Sequence, residues 1–353
     1  MRPADTNRTF TLPLSTEPGL RRRFMVVDDA TLQGNLRLGL LLEILDKLAE
    51  EAALDYVQRF HAGARVVTAA VDRIVIRHAP DVARDVEFHA RINHVGRTSM
   101  EVGIRVEQPG TPTLHVASCY FTMVARSTGD EKARSLEIPP LEYLDELERV
   151  RAAKAVTRRE TYRRQAAQAE EPPSREEYEL LKRLHRAQEE PGFAGLLAGQ
   201  LSAESWERMY PEQENVPQKI FGGYVMRRAY ELASICADRL APDRPVLAAV
   251  NRVNFFHPVR MGDILHYTTR LVYAGKASIC AETSIQRRSR DRTSAALSNS
   301  ALFTFVNVDR DLHPQAVPAI YPTTYAEDAR YLAARREHLE LERHTQHGWI
   351  ATA

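Results

Sequence analysis

The chain has little cysteine and no cysteine pair. Its three cysteines, Cys119, Cys236 and Cys280, lie far apart and form no CxxC motif. An odd and scattered set argues against a disulfide framework and is typical of a reducing compartment. The first 23 residues contain no apolar stretch of the kind found in a secretory signal. We therefore expect a cytoplasmic protein.

Long hydrophobic runs and an excess of one charge are also lacking. No apolar run reaches the roughly 18 residues that a membrane-spanning helix needs. The 48 Lys and Arg residues nearly balance the 47 Asp and Glu residues. A balanced chain has no overall field to attract nucleic acid or a membrane, so we expect neither as a partner. Local basic pockets are compatible with this balance.

Several catalytic signatures are missing. The sequence contains no GxSxG, GxxxxGK[ST], GxGxxG or HExxH motif, which argues against serine-triad hydrolases, nucleotide hydrolases, dinucleotide-binding enzymes and zincins. His344 and His347 have the spacing of a shared helix face, but no carboxylate or thiol partner accompanies them. We therefore expect no metal site.

What the chain does contain is an internal repeat. The segment that starts at Asp72 (DRIVIRHAPD) returns at Asn251 (NRVNFFHPVR). Blocks upstream and downstream of this segment recur in the same order, so one unit of about 120–140 residues occurs twice. The residues matched at a separation of 179 positions are Arg73 with Arg252, His78 with His257, Gly96 with Gly275, and Ser99 with Ser278.

Each unit follows the same pattern of predicted elements. Apolar residues recur at helical spacing from Leu38 to Ala52. Apolar and other residues then alternate in three long segments, which predicts strands at 86–92, 100–106 and 119–125. The second unit repeats the three strands at 265–271, 279–285 and 301–305. The predicted fold class is α+β, with an antiparallel sheet that buries its apolar face on a helix.

Four segments carry a resemblance to a known family. IFGGYVMRRAYELA (220–233) and VNFFHPVRMGD (253–263) resemble the second domain of the double-hotdog acyl-CoA thioesterases, and LRLGLLLEILDKLAE (36–50) and VGRTSMEV (95–102) resemble the first. The most similar group includes acyl-CoA thioesterase nine. The resemblance implies tandem hotdog folds that work side by side within one chain. It also implies a homo-oligomer, a trimer of such chains.

The repeat and the resemblance together predict five regions. They are an N-terminal extension (1–23), a first hotdog domain (24–135), a charged helical linker (136–200), a second hotdog domain (201–312) and a C-terminal helical tail (313–353). The linker is alanine-rich and charged, which favours a solvated connector over a helix that binds nucleic acid or a partner.

The resemblance implies a site with two side chains. In the family a carboxylate follows the second glycine of a GG turn by seven residues, and an Asn precedes the first glycine by seven. In the second unit, Asn215 stands seven residues before Gly222, but Tyr230 occupies the carboxylate position after Gly223. The second unit therefore retains only the Asn.

The first unit retains only the carboxylate. Gly39 takes the second glycine position, Asp46 follows it by seven residues, and Thr31 stands where the Asn would be. We therefore expect one complete site made by Asp46 and Asn215.

The implied reaction is hydrolysis of acyl-CoA to a fatty acid and coenzyme A. Asp46 acts as general base, or as a nucleophile that forms a mixed anhydride, and Asn215 positions the water or the thioester. Partial burial on the helix is expected to raise the pKa of Asp46. Backbone N–H groups near Gly39, Gly222 and Gly223 would hold the oxyanion. No separate cofactor is expected, because coenzyme A is part of the substrate.

The coenzyme A arm needs polar and basic contacts. The candidates are Arg97, Thr98 and Ser99 in the GRTS turn, Lys276 and Ser278 in the GKAS turn, and the basic run of Arg287, Arg288 and Arg290. The alternative for each is a solvated residue at an exposed strand end.

Two other functions stay open at this point. A hotdog enoyl-CoA hydratase or dehydratase would need a DxNPxH loop, and the nearest string, GDILHY (262–267), lacks its Asn-Pro. A non-catalytic acyl-CoA sensor or scaffold would keep the fold and lose the chemistry, which the retained Asp46 and Asn215 argue against.

Overall fold

The computed structural model of the chain describes residues 1–127, 134–168, 172–216, 219–220 and 222–344. The chain divides into two compact units. The first consists of Met1–Thr31 and Asn35–Gln168, and the second of Leu32–Gly34 and Ala169–Ala353. Each unit pairs a helix with an antiparallel sheet, which confirms the predicted α+β class.

Six strands occur in the part of the first unit that the structure describes. They are β1 (Arg8–Leu12), β2 (Arg65–Val71), β3 (Ile74–Ile76), β4 (Val86–Val95), β5 (Ser99–Gln108) and β6 (Leu114–Arg126). Five of them form the sheet in the order β1-β4-β5-β6-β2, with every neighbour antiparallel, and β3 also pairs with β6.

Three α-helices belong to this unit: α1 (Pro18–Arg23), α2 (Leu38–Gln58) and α3 (Glu146–Gln168). The long helix α2 lies against β2, β4, β5 and β6. Its leucines at helical spacing are buried, as are the inward residues of the strands such as Phe88, Val102 and Phe121. Each buried leucine or phenylalanine contributes about 2 kcal/mol. The helix thus covers the apolar face of the antiparallel sheet, as the sequence pattern predicted.

The described residues of the second unit form nine strands. They are β7 (Leu196–Leu197), β8 (Ser202–Arg208), β9 (Glu214–Val216), β10 (Lys219–Ile220), β11 (Arg244–Phe255), β12 (Ile264–Ala274), β13 (Ser278–Arg288), β14 (Ala295–Val308) and β15 (Ile320–Tyr321). The sheet runs β11-β14-β13-β12-β8, again antiparallel. Two short pairs, β9 with β10 and β7 with β15, lie outside it.

The helices of the second unit are α4 (Arg175–Glu189), α5 (Gly222–Asp238) and α6 (Tyr325–His344). The helix α5 lies against β8, β11, β12, β13 and β14. Alternating residues of the strands, among them Leu265, Ile279 and Phe303, are buried as the pattern predicted. Three short 3-10 helices complete the described elements of the chain: Pro3–Thr6, Ala198–Gln200 and Pro211–Gln213. Among the residues that the structure describes, no helix is long and apolar enough to cross a membrane.

The structure adds strands that the sequence pattern did not predict. The strand after each central helix, β2 or β11, was missed because a β-bulge interrupts its alternation: the register shifts between Thr68 and Ala70, and between Leu247 and Ala249. The edge strand β1 lies in the predicted N-terminal extension and pairs with β4. Its five residues are too few for a periodicity to stand out.

The helix α3 corrects the prediction of an exposed linker helix. It buries Ala152 and Ala155, and it lies against β4. The Arg158 guanidinium donates to the Glu101 carboxylate (Nε to Oε2, 3.0 Å) and lies 3.6 Å from the centre of the Tyr120 ring. The helix therefore covers part of the sheet face opposite α2, and its small alanines allow the close approach.

A two-point ion pair between Glu177 of α4 and Arg336 of α6, here called the charged fork, joins these helices within the second unit. Ser174 caps α4 by accepting from the Glu177 N–H, and the Glu177 carboxylate accepts from the Ser174 N–H. The same carboxylate accepts two 2.7 Å hydrogen bonds from the Arg336 guanidinium. These bonds from Arg336 are the main cause that lowers the pKa of Glu177 to about 2.

We expect Arg336→Met to lower the stability of the second unit by about 2 kcal/mol at neutral pH. A depressed pKa contributes stability above the unfolded value of 4.5 and loses it as pH falls toward 2. The difference in Tm between wild type and variant, measured by circular dichroism, is therefore expected to shrink below pH 4.5. Arg343→Met, at an exposed position of α6, is the control. A pH-independent difference would contradict the role of the fork.

Candidate active site

Asp46 is a buried carboxylate on α2. Its side chain is 3% exposed, although aspartate is rarely buried without polar partners. The hydroxyl of Thr68, on β2, donates to Asp46 Oδ1 at 2.7 Å. The neighbouring Lys47 is exposed and its Nζ lies 3.9 Å from Glu51. Asp46 is therefore a buried, hydrogen-bonded carboxylate and not a solvated helix residue.

Thr68 is the polar partner that the sequence did not reveal. It lies at the β-bulge of β2, where its backbone pairs with Met123 of β6, and its hydroxyl also lies 3.6 Å from the Met123 sulfur. The only sequence signal is one hydroxyl within the apolar string VVTAAV. Threonine is common in strands, so this signal carries no function by itself.

Glu50 brings a second carboxyl group one helical turn after Asp46. Burial is the main cause that raises the pKa of Glu50 to about 7, and the charges of Asp46 and Glu51 add to it. Two carboxyl groups four residues apart on one helix repel each other when both are ionised. Glu50 therefore holds its proton in part at neutral pH, while Asp46 keeps the Thr68 hydrogen bond.

The second unit has apolar side chains at the corresponding positions. The bulge of β11 matches that of β2, so Leu247 stands where Thr68 does, and it pairs with Phe305. Tyr230 occupies the helix position of the carboxylate and is buried. Its ring centre lies 6.1 Å from those of Phe303 and Phe305. Tyr230 therefore packs in the core of the second unit.

The predicted glycines stand at the starts of the two central helices. Gly39 is the second residue of α2 and is buried, and no described side chain caps this helix start at Arg37. Gly222 opens α5, and the buried Gly223 follows it. Helix N-termini present backbone N–H groups and a partial positive charge, so both starts have the donors that an oxyanion needs.

Asn215 is the predicted partner of Asp46 in the reaction. It lies in β9, a three-residue strand that pairs with β10. The position of its side chain falls outside the part of the chain that the structure describes. Thr31, which stands at the Asn position of the first unit, is exposed, and its hydroxyl donates to Asp29 Oδ1 at 2.7 Å.

The candidate coenzyme A residues of the first unit lie in the turn between β4 and β5. Arg97 is 83% exposed, and its Nε lies 3.7 Å from Glu137 Oε1. The backbone of Ser99 closes the turn by accepting from the Gly96 N–H, and that of Thr98 accepts from the Ala125 N–H. Their side chains are half-buried.

One candidate in the second unit needs a correction. Lys276 is exposed in the turn between β12 and β13. Ser278 is fully buried, and its hydroxyl lies 3.1 Å from His338 Nε2 of α6. Ser278 is therefore a packing residue rather than part of a coenzyme A surface. The sequence could not show this, because α6 lies far from Ser278 along the chain.

No metal site emerges from the described residues: no group of three His, Cys, Asp or Glu side chains could hold an ion. The side chain of His344 and the whole of His347 lie outside the described residues.

Comparisons with known proteins agree with this architecture. The family model described as "Thioesterase superfamily" matches residues 45–114 and 218–293, one match in each unit. The human protein "Acyl-coenzyme A thioesterase 9, mitochondrial" is 27% identical over 343 residues, covering 92% of this chain and 75% of the human protein. An uncharacterized acyl-CoA thioester hydrolase of Zymomonas mobilis is 35% identical over 118 residues, covering 33% of this chain and 79% of that protein.

Similarity to one solved structure supports the fold, and only the fold, because the sequence identity is low. The acyl-ACP thioesterase from Bacteroides thetaiotaomicron is 9% identical and has a TM-score of 0.50, covering 86% of this chain and all of that one.

Glu50 gives the site a testable pH dependence. Its pKa of about 7 exceeds the ordinary 4.5, so the folded chain binds more protons than the unfolded chain between these values, and stability falls as pH rises through this window. We expect Glu50→Gln to remove this fall. The Tm of the variant relative to that of wild type is therefore expected to increase as pH rises from 4.5 to 7. Calorimetry measures the difference, with Glu160→Gln, at an exposed position of α3, as control. A constant offset across the window would count against the raised pKa.

Proposed function

Because the chain belongs to the thioesterase superfamily, we propose that it hydrolyses acyl-CoA to a free fatty acid and coenzyme A. The predicted family, the hotdog fold and the enzyme class, a thioester hydrolase, are confirmed by the matches. The single observation that carries the proposal to a site is the buried Asp46 carboxylate, held by the Thr68 hydroxyl at 2.7 Å.

Asp46 performs the proton transfer in this proposal. It takes a proton from the water whose oxygen forms the new bond to the thioester carbonyl carbon, and it returns a proton as the carbon–sulfur bond breaks and the thiol leaves. Thr68 fixes Oδ1, so the carboxylate keeps one orientation. Direct attack by Asp46, with water clearing the resulting anhydride, uses the same orientation and stays within the proposal.

The remaining machinery comes from the helix starts and from Asn215. Backbone N–H groups near Gly39, Gly222 and Gly223 hold the oxyanion, and Asn215 positions the water or the thioester. That Asp46 and Asn215 serve one reaction rests on the seven-residue spacing from the glycines. Loss of one oxyanion donor costs about 3–4 kcal/mol in hydrolases.

The proposed reaction requires contacts for the coenzyme A part of the substrate. Arg97, Thr98, Ser99 and Lys276 serve as contacts for the coenzyme A arm, and the substrate brings the only cofactor that the reaction uses. We retain the trimer of chains and the cytoplasmic compartment as proposals. The human relative is named as mitochondrial.

The alternative hydratase is not favoured by the geometry of its candidate residues. Asp263 is buried, accepts from the Arg260 N–H and lies 3.5 Å from Arg287. His266 stacks on Trp206 and lies 3.0 Å from Glu204. Neither side chain is arranged as the acid–base partner of the other.

We expect Asp46→Asn to lower kcat at least a hundredfold, because the variant keeps the shape of the side chain and loses the proton acceptor. Asn215→Ala is expected to lower kcat as well. Thiol release from acyl-CoAs of increasing chain length is the measurement, with circular dichroism to verify folding. Tyr230→Phe keeps the aromatic ring in the second unit. It serves as the control and is expected to keep the wild-type kcat. A folded Asp46→Asn variant with wild-type turnover would end the proposal.

The coenzyme A contacts predict a salt-sensitive Michaelis constant. If the exposed Arg97 and Lys276 meet phosphates, salt screens the attraction and KM rises while kcat stays constant. Arg97→Gln and Lys276→Gln are expected to raise KM and to weaken this salt dependence. Arg186→Gln, an exposed arginine on α4, is the control. If KM changes neither with salt nor with these substitutions, Arg97 and Lys276 do not contact the coenzyme A phosphates.

A further inference from the structure

One end of the second unit's sheet gathers exposed arginines. Arg208 ends β8, Arg260 precedes β12, Arg288 ends β13, and Arg290 and Arg292 lie in the turn before β14. All five are exposed, and none forms an ion pair with a carboxylate in the part of the chain that the structure describes. Exposed arginines without acidic partners are available to an anionic ligand. We call this surface the basic end. It consists of the five arginines and of four apolar residues beside them, Tyr210, Phe256, Met261 and Leu297.

The pairing of the strands brings these arginines together. Ile264, the first residue of β12, pairs with Arg208 on one side and with Arg288 on the other. Arg208 Nη1 donates to the Gly262 carbonyl at 3.2 Å. The Arg290 side chain lies against Gly262 from the other hairpin, 3.0 Å from the place where a Cβ would stand. Gly262 also has φ +86°, so glycine is favoured where the arginines meet.

Apolar side chains project among the arginines. Tyr210, Phe256, Met261 and Leu297 are between 39% and 53% exposed. Phe256 lies beside Leu297, because the Phe256 N–H donates to the carbonyl of the adjacent Ser298 at 2.8 Å. Large apolar residues rimmed by positive charge are typical of a surface that meets a partner.

Two acidic residues in the turns at this end, Asp263 and Asp291, are occupied by contacts within the fold. Asp263 is buried, accepts from the Arg260 N–H and pairs with Arg287. Asp291 is exposed, but its carboxylate accepts from Ser289 and Thr293 to close the turn. Neither carboxylate neutralises the five arginines.

The fold itself does not require this composition, as the first unit shows. His78 Nδ1 lies 2.8 Å from the His115 carbonyl, just as His257 Nδ1 lies 2.9 Å from the Leu297 carbonyl. A polar His115 thus stands where the second unit exposes a leucine. The corresponding turn of the first unit, residues 109–113 (PGTPT), carries no charge.

The balanced overall charge predicted no membrane partner, but from this local cluster we propose that the basic end docks the enzyme on an anionic lipid bilayer. The arginines would contact lipid phosphates, and Phe256, Met261 and Leu297 would enter the boundary between headgroups and acyl chains. Nucleic acid is the weaker match, since aliphatic Met261 and Leu297 gain nothing from bases that stack on aromatic rings. The proposal goes beyond hydrolysis and does not depend on it.

Vesicle binding by the full chain tests the docking surface. Sedimentation with vesicles of phosphatidylcholine alone, and of phosphatidylcholine with phosphatidylglycerol, is measured at low and at physiological salt. We expect binding to the anionic vesicles only, and weaker binding at the higher salt. One arginine near an anionic surface is worth about fivefold in partition, so Arg260→Gln with Arg292→Gln is expected to lower the partition onto anionic vesicles about 25-fold.

A matched control separates the surface from net charge. Arg183→Gln with Arg186→Gln removes two exposed arginines from α4 and is expected to leave binding unchanged. Met261→Ser is expected to weaken binding without altering charge. Turnover of a short, soluble acyl-CoA is followed in every variant and stays at the wild-type level, so a failure of docking is distinct from a failure of catalysis.

Three outcomes would overturn the proposal. They are absence of binding to anionic vesicles, equal loss in the two double variants, and equal binding to neutral vesicles. Salt-sensitive binding of duplex DNA without vesicle binding would assign the basic end to nucleic acid instead.

Discussion

The burial of one long helix on one face of an antiparallel sheet is the interaction on which each unit depends. In the first unit α2 buries its leucines on β2, β4, β5 and β6, and α5 buries Val225, Met226 and Tyr230 on its own sheet. A helix enclosed in this way meets little water, so a charged side chain on its inner side must find its partner on the sheet. This constraint makes Asp46 informative. Its carboxylate is kept in the core because Thr68 reaches it from the strand after the helix.

The two units meet the same constraint with different chemistry. Both have a β-bulge at the same place in the strand after the helix, so the backbone has not diverged there. The first unit fills the position with a hydrogen-bonded acid, whereas the second has Tyr230 beside the rings of Phe303 and Phe305, with Leu247 at the bulge. The ends of the sheets diverge as well: the turn of the second unit carries arginines where that of the first is uncharged. A duplicated fold can thus divide its tasks between two copies without changing its strand order.

Local patterns predicted the elements that have a strong periodicity. The helix from Leu38 and the alternating strands were visible because burial selects apolar residues at fixed spacing. Strand β1 was missed because its existence depends on pairing with β4, far away in the chain. The burial of α3 and of Ser278 depends in the same way on distant contacts. In the site, the resemblance to the thioesterase family supplied the spacing from the glycines that led to Asp46. Thr68 and Glu50 could not be found, because a hydroxyl in a strand and a glutamate on a helix are ordinary until their neighbours are known.

The central claim is that Asp46, held by Thr68, is the group whose ionisation permits hydrolysis. The pH dependence of kcat/KM for Thr68→Val tests this most directly, because valine keeps the shape of threonine and removes only the hydroxyl. An ionised carboxylate that loses a hydrogen bond of about 1.4 kcal/mol binds a proton about one pH unit higher. The account predicts that the acid limb moves up by about that amount while turnover persists at higher pH. An acid limb that stays in place in a folded variant would contradict it.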